Sequence, residues 1–275
     1  MKRIIVLTML IVLSFLFVSC QEGNRDEIPE VLKVGMDLRY PPFESTIQGT
    51  TVPEGISVDI ARAFGDYLGV EVEIVNLSFN ALIPALNSGH IDIIIASMSI
   101  TEERKQAVNF TDPYFYFKII SLINKNFAEA NDITESSTTE DLLAISSARY
   151  VGLVSQVSTS IPESLGKTVT EASDLSTAIE SVSGGFSDIL MMSANPVVDG
   201  FRANPNTTIV VWDSFQSSPI GMAVHKDNLQ LLAKANEFIA TFSEPEGLYE
   251  QLMLKWDAVI LEQLGRYGLE FFINE

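Results

Sequence analysis

The feature that most constrains this chain is a twice-repeated alternation between strand-like and helix-like hydrophobic periods. Residues 32–36 form a short apolar run with strand character. A helix is then predicted to open at Ser57, with Ile60, Phe64, Tyr67 and Leu68 on one stripe. Val70, Val72 and Ile74 alternate as in a strand, residues 79–86 predict a short helix ending before Gly89, and 91–96 is nearly unbroken β-branched sequence. Such a run suits a parallel strand buried on both faces. A helix over 102–108 and a strand over 116–123 complete the unit. The rhythm then restarts. Thr139 is read as an N-cap before 141–145, with strands at 150–154, 189–192, 209–212 and 221–225. Helices are predicted over 158–165, 175–182, 229–241 and from 245 onward, and Asn195-Pro196 fits a cap and first-turn pair. Strands alternating with helices imply an α/β fold with mostly parallel sheets. Two units and a helical tail imply two lobes with a cleft between them. Open α/β sheets bind ligands beyond the carboxyl ends of their strands. The loops after Met36, Val75, Ala96, Val154 and Met192 should therefore face that cleft.

The chain opens with Lys2 and Arg3, an apolar run over 4–13 that resumes to Val18, and then Ser19-Cys20. A basic end, an apolar stretch and small residues before a cut point make a secretion signal, assigned to 1–19. The run is shorter than the roughly 20 residues of a membrane span. Cys20 is the only cysteine, so no disulfide can form within the chain. Ser19-Cys20 resembles the lipobox of bacterial lipoproteins, in which the cysteine becomes the lipidated first residue. That motif usually has leucine three places earlier; here Phe17 stands there and Leu16 one place further back. The alternative is a plain signal peptide with an incidental cysteine. On the lipoprotein reading, residues 20–30 are a lipidated tether and the mature protein is extracytoplasmic, in the periplasm or at the cell surface. The formal net charge of −19 becomes more negative once Lys2 and Arg3 leave with the signal. Such a field repels nucleic acid and anionic lipid, which argues against polyanion partners. A small anionic ligand remains compatible, because a local site can oppose the global field.

The sharpest chemical signal is the loop after Ala96. Ser97, Ser99 and Thr101 lead into Glu102-Glu103-Arg104 at a predicted helix start. Helix N-termini favour anions, so an arginine in the first turn is electrostatically misplaced unless something negative is near. Arg104 could fork onto a ligand carboxylate. The plainer reading is a surface arginine paired with Glu102 or Glu103. Ser99 and Glu102 also fit a capping box. In the loop after Met36, Pro41-Pro42 fixes an extended turn around Tyr40 and Phe43. Tyr40 is a candidate pocket wall, or an ordinary half-buried tyrosine, and Phe43 suits the core. Asp37 is placed to accept from a ligand donor, or only to cap a turn. Phe79 is a candidate opposing wall, or a core residue.

These residues belong to longer matches. Segments 34–43 (VGMDLRYPPF), 55–75, 78–115 (including SITEERK and FTDPYF) and 248–256 resemble the polar-amino-acid class of bacterial ABC-transporter solute-binding proteins. Segments 147–160 and 184–193 match more weakly. The resemblance implies the periplasmic-binding-protein type 2 fold, with 31–116 plus 221–275 as one lobe and 117–220 as the other. It implies two crossing strands near 116–118 and 217–221, closure around one ligand, and delivery to a membrane permease. It implies a monomer without cofactor, metal or catalytic residues. It also assigns the ligand carboxylate to Arg104, amide and hydroxyl contacts to Ser97 and Ser99, stacking to Tyr40 and Phe79, and the acidic side-chain reader to Asp37.

Two departures fall in the second lobe. The turn after its first strand carries Gln156-Val157-Ser158-Thr159 where the family usually has glycine before its ligand-contacting hydroxyl residue. Ser158 and Thr159 are the candidate contacts there. The family's ammonium-binding aspartate falls on Ser193. Serine offers a hydrogen bond of about 1 kcal/mol against about 1.5–3 for a charge-assisted one. The expected ligand is therefore a carboxylate-bearing metabolite, with amino acids leading. An enzyme on the same fold, dehydratase-like and acting on a carboxylic acid, is the main alternative. His90 and His225 are far apart, however, and no nucleophile–base motif accompanies them. A ligand-sensing module that signals by contact is the third class.

Overall fold

The computed structural model describes residues 28–274. The secretion signal, Cys20 and most of the expected tether lie outside the described residues. From the first described residues run β1 (Val31–Met36), a small hairpin β2 (Ser45–Thr46) and β3 (Pro53–Glu54), and α1 (Ile56–Leu68). β4 (Glu71–Asn76), a 3-10 turn at Phe79–Ala81, α2 (Leu82–Ser88), β5 (Ile93–Ile94), α3 (Glu102–Ala107) and β6 (Asn109–Phe110) follow. The long β7 (Phe115–Asn124) leads to α4 (Lys125–Ala130), α5 (Thr139–Ala144), β8 (Tyr150–Leu153), α6 (Val157–Ser164) and β9 (Val169–Ala172). Then come α7 (Leu175–Ser183), β10 (Ile189–Ser193), α8 (Ala194–Ala203) and a second long strand, β11 (Thr208–Ile220). β12 (Ala223–Val224), α9 (Leu229–Ala240), α10 (Leu248–Leu264) and α11 (Glu270–Ile273) end the described chain.

These strands make two five-stranded sheets, ordered β4-β1-β5-β12-β6 and β11-β7-β10-β8-β9. The ladders β1–β4, β1–β5, β8–β10 and β8–β9 are parallel, as an alternating strand–helix sequence implies. Antiparallel neighbours enter where chain returns from the other lobe, as β12 does beside β5 and β7 beside β10. β7 and β11 pair along their length, with Tyr116 opposite Pro219 and Lys118 opposite Ser217. Both belong to the second sheet, while β6 before them and β12 after them belong to the first. The chain thus passes between lobes twice, side by side. β11 extends well beyond the strand predicted at 209–212. Its continuation, Asp213–Ser218, is polar except for Phe215, and its register shifts between Val211 and Gln216. Apolar periodicity could not reveal it, because backbone pairing rather than burial defines that stretch.

Helix starts required correction in four places. Ser57 is not a cap: α1 begins at Ile56 after Gly55, whose φ of 129° puts it in glycine territory. The Ser57 hydroxyl is thereby free to reach another loop. The cap of α3 is Thr101, which accepts from the Arg104 amide, so Ser99 forms no capping box. α5 is capped by Thr138 rather than Thr139, in a reciprocal box with Asp141. Asn195 sits inside the first turn of α8 instead of capping it, and its amide donates to Gln263 of α10 at 2.6 Å.

α10 ties the lobes together. At its middle Lys255 and Trp256 both bond to Asp59 of α1 at 2.7 Å. Near its end Gln263 donates to Asp199 of α8 at 2.7 Å, and Arg202 donates to the Glu262 carbonyl. Beneath the cleft, Phe43, Phe117 and Phe272 form an aromatic cluster with centroids 4.7–5.2 Å apart. Edge-to-face and tilted contacts of this kind add about 0.5–1.5 kcal/mol beyond area burial. They fasten the Tyr40 loop to the first crossing strand and to the C-terminal helix.

Candidate functional site

A cavity of about 510 Å³ lies between the two sheets. Each loop expected at the cleft contributes to it: Asp37 and Tyr40 after β1, Phe79 after β4, Ser97 and Ser99 after β5, Val154 and Gln156 after β8, and Ser193 at the end of β10. The turn after β9 and the start of α7, from Ser173 to Ser176, add a wall that the sequence did not suggest.

Arg104 reaches the cavity from the first turn of α3. One guanidinium nitrogen donates to the Ser99 carbonyl and the other to the Ser155 carbonyl, both at 2.8 Å. The second bond crosses from one lobe to the other. The guanidinium also lies 5.1 Å over the Phe79 ring. The surface-pair alternative does not hold, because Glu102 is bound to Lys105 at 2.8 Å. Among the described residues no carboxylate lies within ion-pair distance of Arg104. Burial pushes its guanidinium down to about 10, and the more distant Glu103 pulls the other way. Its hydrogen bonds go to carbonyls, so the protein leaves its charge without a paired anion.

Tyr40 stacks on Phe43 and Phe117, and its hydroxyl meets the Ser193 hydroxyl at 2.6 Å, a second bond between lobes. Ser193 is therefore in the cavity and already engaged. Asp37 lies at the rim. Arg39 forks onto both its oxygens at 2.7 and 2.8 Å, and the Phe79 amide donates to it at 3.0 Å. Ser97 holds a left-handed φ of 49°, strained for a non-glycine residue, and donates to Glu44 at 2.9 Å. Ser99 accepts from Ser218 of the returning strand at 2.7 Å. Ser158 and Thr159 require correction: neither lines the cavity. The Ser158 hydroxyl accepts from the Leu153 amide at 2.9 Å, and Thr159 donates to the Leu153 carbonyl at 2.8 Å. Their hydroxyls close the β8–α6 turn, and the backbone of that turn presents Gln156 and Val157 instead.

Glu44 was missed. It lines the cavity at 2% exposure, accepting from Ser57 at 2.6 Å and from Ser97 at 2.9 Å. No local signal marks it. Its partners lie 13 and 53 residues away, and Ser57 points at it only because Gly55 took over the helix cap. Burial pushes its carboxyl up to about 8 against the two hydroxyl donors, with Asp37 adding to the rise. Asp174, in the wall after β9, is held well below the usual carboxylate range by the hydroxyls of Ser176, Ser173 and Thr177 and the Thr177 amide. Among the described residues no cluster of acids and histidines is arranged to hold a metal.

Two α/β lobes joined by paired crossing strands, with a cation-bearing cavity between them, define a periplasmic-binding-protein type 2 fold built around a solute site. The sequence pattern of the bacterial extracellular solute-binding proteins, family 3, matches residues 32–258, and the chain belongs to that family. The L-cystine-binding protein TcyJ of Escherichia coli (strain K12) is 27% identical over 239 residues, which cover 86% of each chain. An ancestral arginine-binding protein bound to arginine superposes with a TM-score of 0.69 at 28% identity, covering 84% of this chain and 99% of that one. The ancestral amino acid-binding protein AncCDT-1, a precursor of cyclohexadienyl dehydratase, gives 0.68 at 26% identity, covering 82% and 95%. No helix among the described residues is long and apolar enough to cross a membrane.

Proposed function

We propose that this protein captures an amino acid outside the cytoplasm and hands it to the permease of an ABC importer. The observation that carries the reading is Arg104: a half-buried guanidinium lining the cavity, held by carbonyls from both lobes and, among the described residues, within ion-pair distance of no acid. A ligand carboxylate supplies the missing negative charge. Tyr40 and Phe79 flank the ligand's apolar part, Ser97 and Ser99 bound it on the first lobe, and Ser193 closes it from the second. Asp37, with Arg39 laid across it, acts at the mouth. The cross-lobe bonds of Tyr40 and Arg104 fit a closed arrangement reached by rotation about the paired strands β7 and β11. Anchoring at Cys20 would keep the monomeric protein near its permease. The relatives reported above are binding proteins, which supports a binder rather than an enzyme.

Calorimetric titration of the wild-type protein and Arg104→Ala with L-arginine, L-lysine, L-histidine, L-glutamine and L-cystine tests the reading. At least one should bind, and the substitution should weaken it about 100-fold or more, since an unpaired buried carboxylate costs roughly 2–5 kcal/mol. Unchanged affinity in Arg104→Ala would sink this site assignment. For the anchor, Cys20→Ser should move the secreted protein from the membrane fraction to the soluble one.

A further inference from the structure

Three carboxylates line the cavity: Asp37, Glu44 and Asp174. Two are spoken for. Asp37 has both oxygens on Arg39 and takes the Phe79 amide as well. Asp174 accepts from Ser173, Ser176 and Thr177, and caps α7 through the Thr177 amide. Glu44 differs. Both of its hydrogen bonds, from Ser57 and Ser97, arrive at the same oxygen, Oε2. Among the described residues Oε1 has no hydrogen-bond donor, although the side chain is almost wholly buried and borders the cavity. Meanwhile Ser193 offers no charge, and its hydroxyl is taken by Tyr40.

Resting on the amino-acid reading above, we propose that Glu44 is the carboxylate that receives the ligand's α-ammonium group, from the first lobe. The placement suits the α-ammonium rather than a distant side-chain group. The loop after β5 touches both ends of the site, with the Ser97 hydroxyl on Glu44 and the Ser99 carbonyl on Arg104. The Cα atoms of residues two apart are at most about 7 Å from each other, so one short loop segment holds both Glu44 and Arg104 on the same side of the site. A carboxylate and an ammonium carried on one carbon can address both groups from that one side.

The arrangement has a proton consequence. Without ligand, burial keeps Glu44 protonated, its carboxyl pushed up to about 8, and Asp37 opposes ionisation further. The other titratable groups facing it are Tyr40 and Tyr114, both raised by burial and therefore neutral. An arriving ammonium favours the ionised carboxylate, so binding at neutral pH must expel a proton. Affinity should rise with pH up to about 8 and then level off.

The test is calorimetry at pH 7 in buffers of different ionisation enthalpy, on wild-type protein and Glu44→Gln, with the same amino acids and the α-deaminated counterpart of each. The amide keeps an acceptor for Ser57 and Ser97 and removes the charge. Support is release of close to one proton per bound amino acid by the wild type, lost in Glu44→Gln together with about tenfold or more of affinity. Affinity for the deaminated acid should be the same in both proteins. A structural role alone would move neither the proton count nor the amino-acid selectivity of the loss. Equal affinity of wild type and Glu44→Gln for the amino acid, without proton release by the wild type, overturns the proposal and leaves the amino-acid reading standing. Failure of every amino acid to bind the wild type overturns both.

Discussion

Burial pushes the Glu44 carboxyl up to about 8, whereas an unfolded glutamate titrates near 4.3. The unliganded folded protein therefore holds a proton that the unfolded chain has released. Folded stability is fully present below about pH 4.3 as far as this group is concerned. It falls by roughly 1.4 kcal/mol for each pH unit up to about 8, then stays level. Urea unfolding across that window should show the slope in wild type and a flatter profile in Glu44→Gln; parallel profiles would mean that Glu44 is ionised in the folded state. Arg104 was visible in the sequence, because a cation in the first turn of a helix contradicts the helix's own field and so asks for an explanation. Glu44 was not, because an acid following Phe43 contradicts nothing local. Ser158 and Thr159 illustrate the opposite failure. Hydroxyl residues in a cleft loop looked like ligand contacts, yet both are used to hold the turn to Leu153.

At the scale of elements, the junction between the Tyr40 loop and α1 governs the site. Gly55 sits at φ 129°, and a Cβ there would stand 2.3 Å from the Phe43 carbonyl oxygen and 2.9 Å from that of Pro42. Those carbonyls accept from Ser57 and Ile56, so the helix start is packed directly onto the loop that carries Glu44. Gly55→Ala should lower unfolding free energy by about 2 kcal/mol or more, read from chemical denaturation, and weaken ligand binding as Glu44 shifts. Thr138→Ala, at the reciprocal cap of α5 far from the cavity, should cost about 1 kcal/mol and leave binding alone. The central apolar run at 91–96 was legible as a buried strand for the reason given by its composition: Ile93 and Ile94 are fully buried, with β1 on one side and β12 on the other. The second half of β11 was not legible from periodicity, since residues 216–220 are held by pairing with β7; only the family resemblance placed a crossing strand near 217–221.

For the whole molecule, few hydrogen bonds among the described residues span the cavity itself. Tyr40–Ser193 and Arg104–Ser155 join the lobes across the cavity, while α10 clasps α1 and α8 behind it. Tyr40→Phe keeps the stacked ring and removes one bond worth about 1 kcal/mol. Small-angle scattering should show a larger radius of gyration without ligand, and amino-acid affinity should fall about fivefold as closure becomes less favourable. An unchanged radius and affinity would mean that the bond does not contribute to closure. The sequence by itself determined the alternation of strands and helices, hence the class of fold, and through it the loops that meet at the cleft. Periodicity and local charge are properties of neighbouring residues, and they survive in any packing of the chain. Only the tertiary structure decided which polar groups remain available inside the cavity. A hydroxyl or carboxylate is spent or left open according to what approaches it from distant segments: Ser57 and Ser97 on one oxygen of Glu44, Arg39 across Asp37, and Tyr40 against Ser193 from the opposite lobe.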